Sequence, residues 1–404
     1  MHDQNPVFLP GPTNIPERLR QAMSGPSRDH RSPAFARSLV QLLADIKPVF
    51  GTEAGEVAVF TASGTGGWET AITNTLSPGD RVLAARHGMF SQRWIDLCER
   101  LGLEVQVIDA PWGEGVPAEA FREALAADRE RRIRAVLAVH NETATGVTSD
   151  IGAVRAALDA ADHPALLFVD GVSSIGALPF HMDAWGVDVA VAGSQKGFML
   201  STGLAIVAVS PRARAAMETA RLPRCYFDLR SMLAAGRDGS YPYTPAVPLL
   251  DGLRESVHML LAEGLEQVHA RHRHIANGVR RAVAAWGLEL CARRPALYSD
   301  TVTAIVVPRD FDARALVNHA SEAYGVSYGI GLGAVAERVF RIGHLGHLTE
   351  AMALAGIATA EMAMRDLGYP VVLGSGVAAA QHAYQVRARG TPEPAEAVAA
   401  MEVR

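Results

Sequence analysis

Lys196 stands in Gly193-Ser194-Gln195-Lys196-Gly197, directly after a mostly apolar run over 187–192. A lysine at the end of a buried strand, among small residues, suits covalent chemistry with an aldehyde, because its amine can be held desolvated there. Arginine stays protonated and cannot do this. The chain carries thirty-eight Lys and Arg, yet lysine occurs only at 47 and 196. A coding bias toward arginine accounts for the scarcity, not for the setting of Lys196. Lys47 is the contrast. Apolar residues at 39, 42, 43 and 46 make one face of a helical run over 38–47, and Lys47 closes that run, where a cation complements the helix dipole.

Two further groups fit the same chemistry. Ser63-Gly64-Thr65-Gly66-Gly67 lies between a strand and a helix, so free N–H groups and two hydroxyls could cradle a phosphate. A plain glycine turn capped by Thr65 fits the run equally well. It matches neither Walker A nor the dinucleotide fingerprint. Asp170 ends the apolar run 165–169, where a carboxylate could hold a protonated heterocyclic nitrogen or cap the turn over 171–174. Phosphate cradle, strand-end carboxylate and strand-end lysine together are the parts of a pyridoxal phosphate site.

The elements that must position them alternate. Short β-rich runs near 57–60, 82–85, 105–108, 135–139, 165–169, 187–192 and 204–209 are separated by helical patterns starting near 66 and over 91–101, 117–127 and 151–161. This predicts an α/β fold whose mostly parallel sheet is covered by helices on both faces. Ligands of such sheets bind beyond the carboxyl ends of the strands. Ser63-Gly64-Thr65, His140-Asn141-Glu142-Thr143, Asp170 and Lys196 all fall there. A long helical stretch over 247–286 leads to a second, smaller region with strands near 301–307 and 338–342 and helices near 312–323 and 348–366.

Composition narrows the class. A chain of 404 residues with 49% hydrophobic and 20% charged residues can bury a sizeable core. The net charge of −5 gives no reason to expect nucleic acid or an acidic membrane surface. The first residues lack a basic segment followed by an apolar one, and no apolar run is long enough to span a bilayer. Cys98, Cys225 and Cys291 share no ligand spacing, so no metal is expected, and the chain reads as cytoplasmic with reduced thiols.

With these motifs assembled, the chain resembles the fold-type-I aminotransferases of the alanine–glyoxylate and serine–glyoxylate group. The resemblance runs from Leu9-Pro10-Gly11-Pro12-Thr13-Asn14 to Gly374-Ser375-Gly376-Val377. It rests on Ser63-Gly64-Thr65-Gly66, Asn141-Glu142-Thr143-Ala144-Thr145-Gly146, Val169-Asp170-Gly171-Val172-Ser173-Ser174, Ser194-Gln195-Lys196-Gly197 and Phe340-Arg341-Ile342-Gly343. Bacterial serine–glyoxylate and aspartate–glyoxylate enzymes are nearest in wording. The runs 67–75 and 111–115 lean toward the latter.

The resemblance implies a large domain over 21–262 with a mostly parallel sheet, which binds pyridoxal 5'-phosphate. A small C-terminal α/β domain would span 263–387, with an N-terminal segment 1–20 reaching the active site and a flexible tail 388–404. It implies that Lys196 bonds the cofactor aldehyde and Asp170 pairs with the ring nitrogen. Ser63, Gly64, Thr65 and Gln195 would hold the phosphate, Thr143 would sit near the phenolic oxygen, and Phe90 would stack on the ring. Tyr241 and Thr244 would reach the neighbouring subunit's phosphate in a homodimer. Arg341 would grip the substrate carboxylate, with Gly11 and Thr13 lining the pocket. Read without the family, Arg341 suits a surface salt bridge. Asp29-His30-Arg31-Ser32 could meet a donor side chain or form a capped turn. The expected reaction is ping-pong transamination from a small L-amino acid, aspartate or serine, to glyoxylate. A cysteine desulfurase and a non-catalytic cofactor-binding module are the competing readings.

Overall fold

The computed structural model describes residues 5–388. The strands, in chain order, are β1 (Val7–Phe8), β2 (Glu56–Ala62), β3 (Arg81–Arg86), β4 (Glu104–Asp109), β5 (Ile133–Val139), β6 (Asn141–Glu142) and β7 (Val147–Thr148). They continue as β8 (Leu166–Asp170), β9 (Val189–Gly193), β10 (Gly203–Val209), β11 (Glu289–Leu290), β12 (Val302–Val306), β13 (Ser327–Ile330) and β14 (Val339–Gly343). Seven of them form the main sheet in the order β2-β10-β9-β8-β5-β3-β4.

Six strands of that sheet run one way; β10 alone is antiparallel to both its neighbours. The reason is local. Residues 194–202 between β9 and β10 contain no helix, and a parallel return needs a crossover. Register then places the chemistry. Asp170 pairs with Val139 on one side and Val191 on the other, so His140, Asp170 and the turn after Gly193 leave the sheet at a common edge. The end of β2, and with it Ser63, points the same way.

Both faces of the sheet are buried, as the apolar strands require. Along β8, Leu167 and Val169 belong to one hydrophobic cluster, while Leu166 and Phe168 belong to another on the opposite face. Each such side chain contributes about 1.5–3 kcal/mol by leaving water. The Pro33–Phe50 helix closes one face through Leu39, Leu42 and Ile46. Ser32 caps its start by accepting from Phe35 N at 3.2 Å, and Gly51 (φ 63°) ends it. Lys47 sits in its last turn and donates to the Glu53 carbonyl at 2.6 Å, a structural role.

The expected helical stretch over 247–286 is two helices, Val247–Glu263 and Leu265–Ala285, broken at Gly264 (φ 85°). Beyond them lies a second sheet in the order β1-β13-β14-β12-β11. Its first strand comes from the other end of the chain, pairing Val7 with Ser327 and Phe8 with Tyr328. From β1 the chain runs straight into Pro10 and Gly11, so the N-terminal segment is anchored beside the second sheet as it reaches the site. The helix Ser375–Ala388 packs on Leu265–Ala285, where Tyr384 donates to the Ile275 carbonyl at 3.2 Å. Of the tail expected over 388–404, residue 388 closes this last helix and 389–404 lie outside the described residues.

Candidate active site

Lys196 is fixed by the turn that follows β9. Ser194 Oγ accepts from Leu204 N at 3.1 Å and donates to the Ser201 carbonyl at 2.7 Å. Met199 takes a left-handed conformation (φ 58°), rare for a residue with a side chain, and its N–H returns to the Lys196 carbonyl at 2.9 Å. The Lys196 side chain is buried, and its Nζ donates to the Pro10 carbonyl. Gly11 (φ 95°) lies against it; a Cβ there would come within 2.7 Å of Lys196 Cε and Nζ. Burial lowers the Lys196 amine to about 8, the nearby Arg341 charge adds to the shift, and Asp170 opposes it. Thr13 completes this wall, its N–H donating to the Gln195 carbonyl at 3.3 Å and its hydroxyl to the Lys196 carbonyl at 3.5 Å.

Asp170 is buried at the end of β8 and accepts from Val172 N at 2.8 Å through Oδ1. It therefore does cap the following turn, and Oδ2 is left for another partner. Burial raises this carboxyl to about 6, with the Val172 N–H, the Trp68 indole and the Lys196 charge pulling the other way. The buried Trp68 Nε1 closes no well-aligned hydrogen bond among the described residues, yet it lies close enough to the Asp170 carboxyl to oppose the shift. Trp68 stacks on Trp94, with ring centroids 5.5 Å apart.

Ser63 is the N-cap of the Gly64–Thr75 helix, and its side chain makes no capping bond. The first-turn N–H groups of that helix have no intrahelical acceptor, and the Thr65 side chain beside them is exposed rather than capping. Gly64 packs on the turn after Asp170, where a Cβ would meet Val172 Cγ2 at 2.6 Å. The glycine thus serves close packing as much as anion approach. Gln195 turns its amide toward Gly193, and its buried Oε1 has no partner among the described residues. With the amide reversed the same end offers an N–H donor. Open amides, free hydroxyls and an unsatisfied amide side chain are what a phosphate needs.

The opposite wall joins the two sheets. Arg341, in β14, is buried and donates from Nε to the Ile330 carbonyl and from Nη1 to the Thr143 carbonyl, each at 2.9 Å. It makes no ion pair among the described residues, which excludes the surface salt bridge expected of an isolated arginine. Burial lowers its guanidinium to about 10, and Glu142 opposes that shift. Nη2 remains available to a carboxylate. Thr143 is buried beside it. Phe90, half-buried at the start of the Met89–Arg100 helix, carries the Arg93 guanidinium 5.4 Å from its ring centre.

The matching family model is that of aminotransferase class-V, over residues 17–335. This chain belongs to the class-V aminotransferases. It is 64% identical to the L-aspartate–glyoxylate aminotransferase of Paracoccus denitrificans over 95% of this chain and 97% of that one. Against the serine–glyoxylate aminotransferase of Hyphomicrobium methylovorum identity is 53%, covering 93% of each chain. Among solved structures, pyridoxamine–pyruvate aminotransferase from Mesorhizobium loti superposes with a TM-score of 0.89 at 28% identity, covering 95% of this chain and 98% of that one.

Pyridoxal phosphate is the cofactor of this aminotransferase, and the residues present fit it. Tyr241 is half-buried against both main hydrophobic clusters, whereas Pro242, Tyr243 and Thr244 are exposed. Tyr243 stacks on Tyr226 at 5.3 Å. In the Asp29–Ser32 segment Asp29 Oδ1 accepts from Arg31 N at 2.9 Å and Ser32 caps the next helix, the capped turn that was one of its two readings. Cys98 and Cys291 are pushed by burial to about 12 and about 11, and Cys225 lies exposed beside Tyr243. Sequence reasoning gave no role to Pro10, Trp68, Ile330 or Glu142. Glu142 lies inside the run Asn141-Glu142-Thr143-Ala144-Thr145-Gly146; a carbonyl such as that of Ile330 has no side-chain signal at all.

Proposed function

We propose that this aminotransferase moves the amino group of L-aspartate to glyoxylate, releasing oxaloacetate and glycine in a ping-pong cycle. The observation that carries the reading is the placement of one buried amine, Lys196, under the charges of both Asp170 and Arg341. Aspartate is preferred to serine as donor on the higher identity to the aspartate–glyoxylate enzyme. Pyridoxal phosphate, when bound, supplies an aldehyde that takes up the amino group and a ring that draws electrons from the substrate Cα.

The chain's residues supply the rest. Arg341 Nη2 takes the donor α-carboxylate, its other two bonds holding the guanidinium plane. Lys196 is a neutral base for the donor Cα proton because burial has already lowered its affinity for one. Asp170 Oδ2 keeps the ring nitrogen protonated. Ser63, Gly64, Thr65 and Gln195 hold the phosphate, Thr143 faces the phenolic oxygen and Phe90 covers the ring. Gly11 and Thr13 keep the pocket narrow, which suits an acceptor with no side chain.

In this reading residues 21–262 form the cofactor domain and 263–387 the domain that delivers Arg341. Two chains pair in the cytoplasm so that Tyr241 and Thr244 of each reach the other's phosphate, for which the exposure of residues 242–244 is the support. Sedimentation at micromolar concentration reads the dimer. The reaction is tested by supplying L-aspartate, L-serine and L-alanine separately with glyoxylate and quantifying glycine and the keto acid. Aspartate is expected to give the highest kcat/KM. A higher value for serine reassigns the donor, and no glycine from any of them overturns the reading.

A further inference from the structure

The Glu142 side chain is fully buried, yet it forms no ion pair among the described residues. Its Oε2 accepts from Phe90 N at 3.0 Å and Ser91 N at 3.1 Å, and its Oε1 accepts from Ala144 N at 3.1 Å. The Met89–Arg100 helix has glycine, Gly88, at its N-cap and so cannot cap itself with that side chain. Glu142, from β6, does it instead. Gly88 makes the room: a Cβ there would collide with the Glu142 side chain, its carboxylate oxygen included.

The helix start does not depend on Glu142 alone. Ser91 Oγ already accepts from His87 N at 3.1 Å and Gly88 N at 3.0 Å and donates to the Gly88 carbonyl at 2.9 Å. What Glu142 adds is a tie between two places. One oxygen fixes the peptide of Phe90. The other fixes the peptide of Ala144, next to Thr143, whose carbonyl holds Arg341 Nη1. We propose that Glu142 is a positioning residue that sets Phe90 over the cofactor and Arg341 toward the donor carboxylate through one shared carboxylate. This rests on the reading that Phe90 covers the cofactor ring and Arg341 takes the donor.

Burial lifts the Glu142 carboxyl to about 7, with Asp170 adding to the shift and the three amides opposing it. A neutral carboxyl cannot accept on both sides as a carboxylate does, and neither can the amide of a glutamine. Glu142→Gln keeps the shape but turns an NH2 group toward one set of N–H donors, so Phe90 or Ala144 must shift. Gly88→Ala presses on the same carboxylate from the other side and leaves it chemically intact.

The test uses the cofactor-loaded enzyme and three readouts: visible circular dichroism of the bound cofactor, donor KM against kcat, and the melting temperature. With Glu142→Gln the dichroic band is expected to change and the donor KM to rise roughly tenfold while kcat falls less than about threefold. Gly88→Ala is expected to do the same. A lower melting temperature with dichroism unchanged and KM within about twofold of wild type makes Glu142 a structural cap only and overturns the proposal. If Glu142→Gln does not fold, Gly88→Ala decides on the same two readouts. An Arg341→Lys enzyme with unchanged donor KM indicts the site reading instead, so the two failures are separable.

Discussion

Arg341 Nη1 donates to the carbonyl of Thr143 at 2.9 Å, joining residues 198 positions apart in the chain. That bond fastens β14 of the second sheet to the hairpin that follows β5 of the main sheet. The placement of Arg341 is therefore set by the relative placement of the two sheets, not by its own strand alone.

Replacing Arg341 with lysine keeps a cation but loses the planar fork and both carbonyl bonds. The donor KM is expected to rise by about two orders of magnitude, with cofactor content unchanged. Steady-state kinetics at saturating glyoxylate read it.

Gly11→Ala meets two obstacles. Gly11 has φ 95°, and the added methyl would stand 2.7 Å from Lys196 Cε and Nζ. The lysine must move off the Pro10 carbonyl or the N-terminal segment must withdraw. Activity is expected to fall by roughly a hundredfold or more, since about 1 Å of misplacement costs that much. Because β1 still holds the segment, the far-ultraviolet dichroism should stay that of wild type.

Lys196 carries a pH signature in the apoprotein. Its folded value of about 8 lies below the ordinary 10.5, so between those values the unfolded chain holds more protons. Stability therefore rises with pH through that window, and below it the folded state bears the full desolvation cost. Lys196→Met removes this cost. Its apoprotein should melt higher than wild type at pH 7, with the gap closing above pH 8. Uptake of pyridoxal phosphate by the wild-type apoprotein should rise with pH around a midpoint near 8, because only the neutral amine attacks.

Trp68→Phe keeps the stack on Trp94 and deletes the indole N–H that lowers Asp170. Asp170, already raised to about 6, should rise further and lose its charge at higher pH. The acidic limb of kcat should move upward, with kcat at pH 7 down roughly twofold and donor KM unchanged. Cofactor affinity, measured by fluorescence, should weaken with it.

The chemistry-bearing positions were legible because each ends a strand whose apolar run stands out, as at 165–169 and 187–192. Strand ends gather at one edge in any parallel sheet, so Ser63, Asp170 and Lys196 could be placed together from sequence. Arg341 could not: its burial depends on β13 and β1, strands too short to show a period. A mostly parallel sheet was expected and left the direction of β10 open; the short helix-free connection over 194–202, with no room for a crossover, is the signal that could have set it. The break at Gly264 hid inside a continuous apolar pattern. Glu142 was unreadable for another reason, since its partners are backbone amides, which every sequence has.

The most direct test mixes the cofactor-loaded enzyme with L-aspartate alone and follows the cofactor absorbance through one turnover. The account predicts loss of the starting band, one oxaloacetate per site, and full recovery on adding glyoxylate with one glycine formed. Absence of any change with L-aspartate, L-serine and L-alanine alike would contradict it.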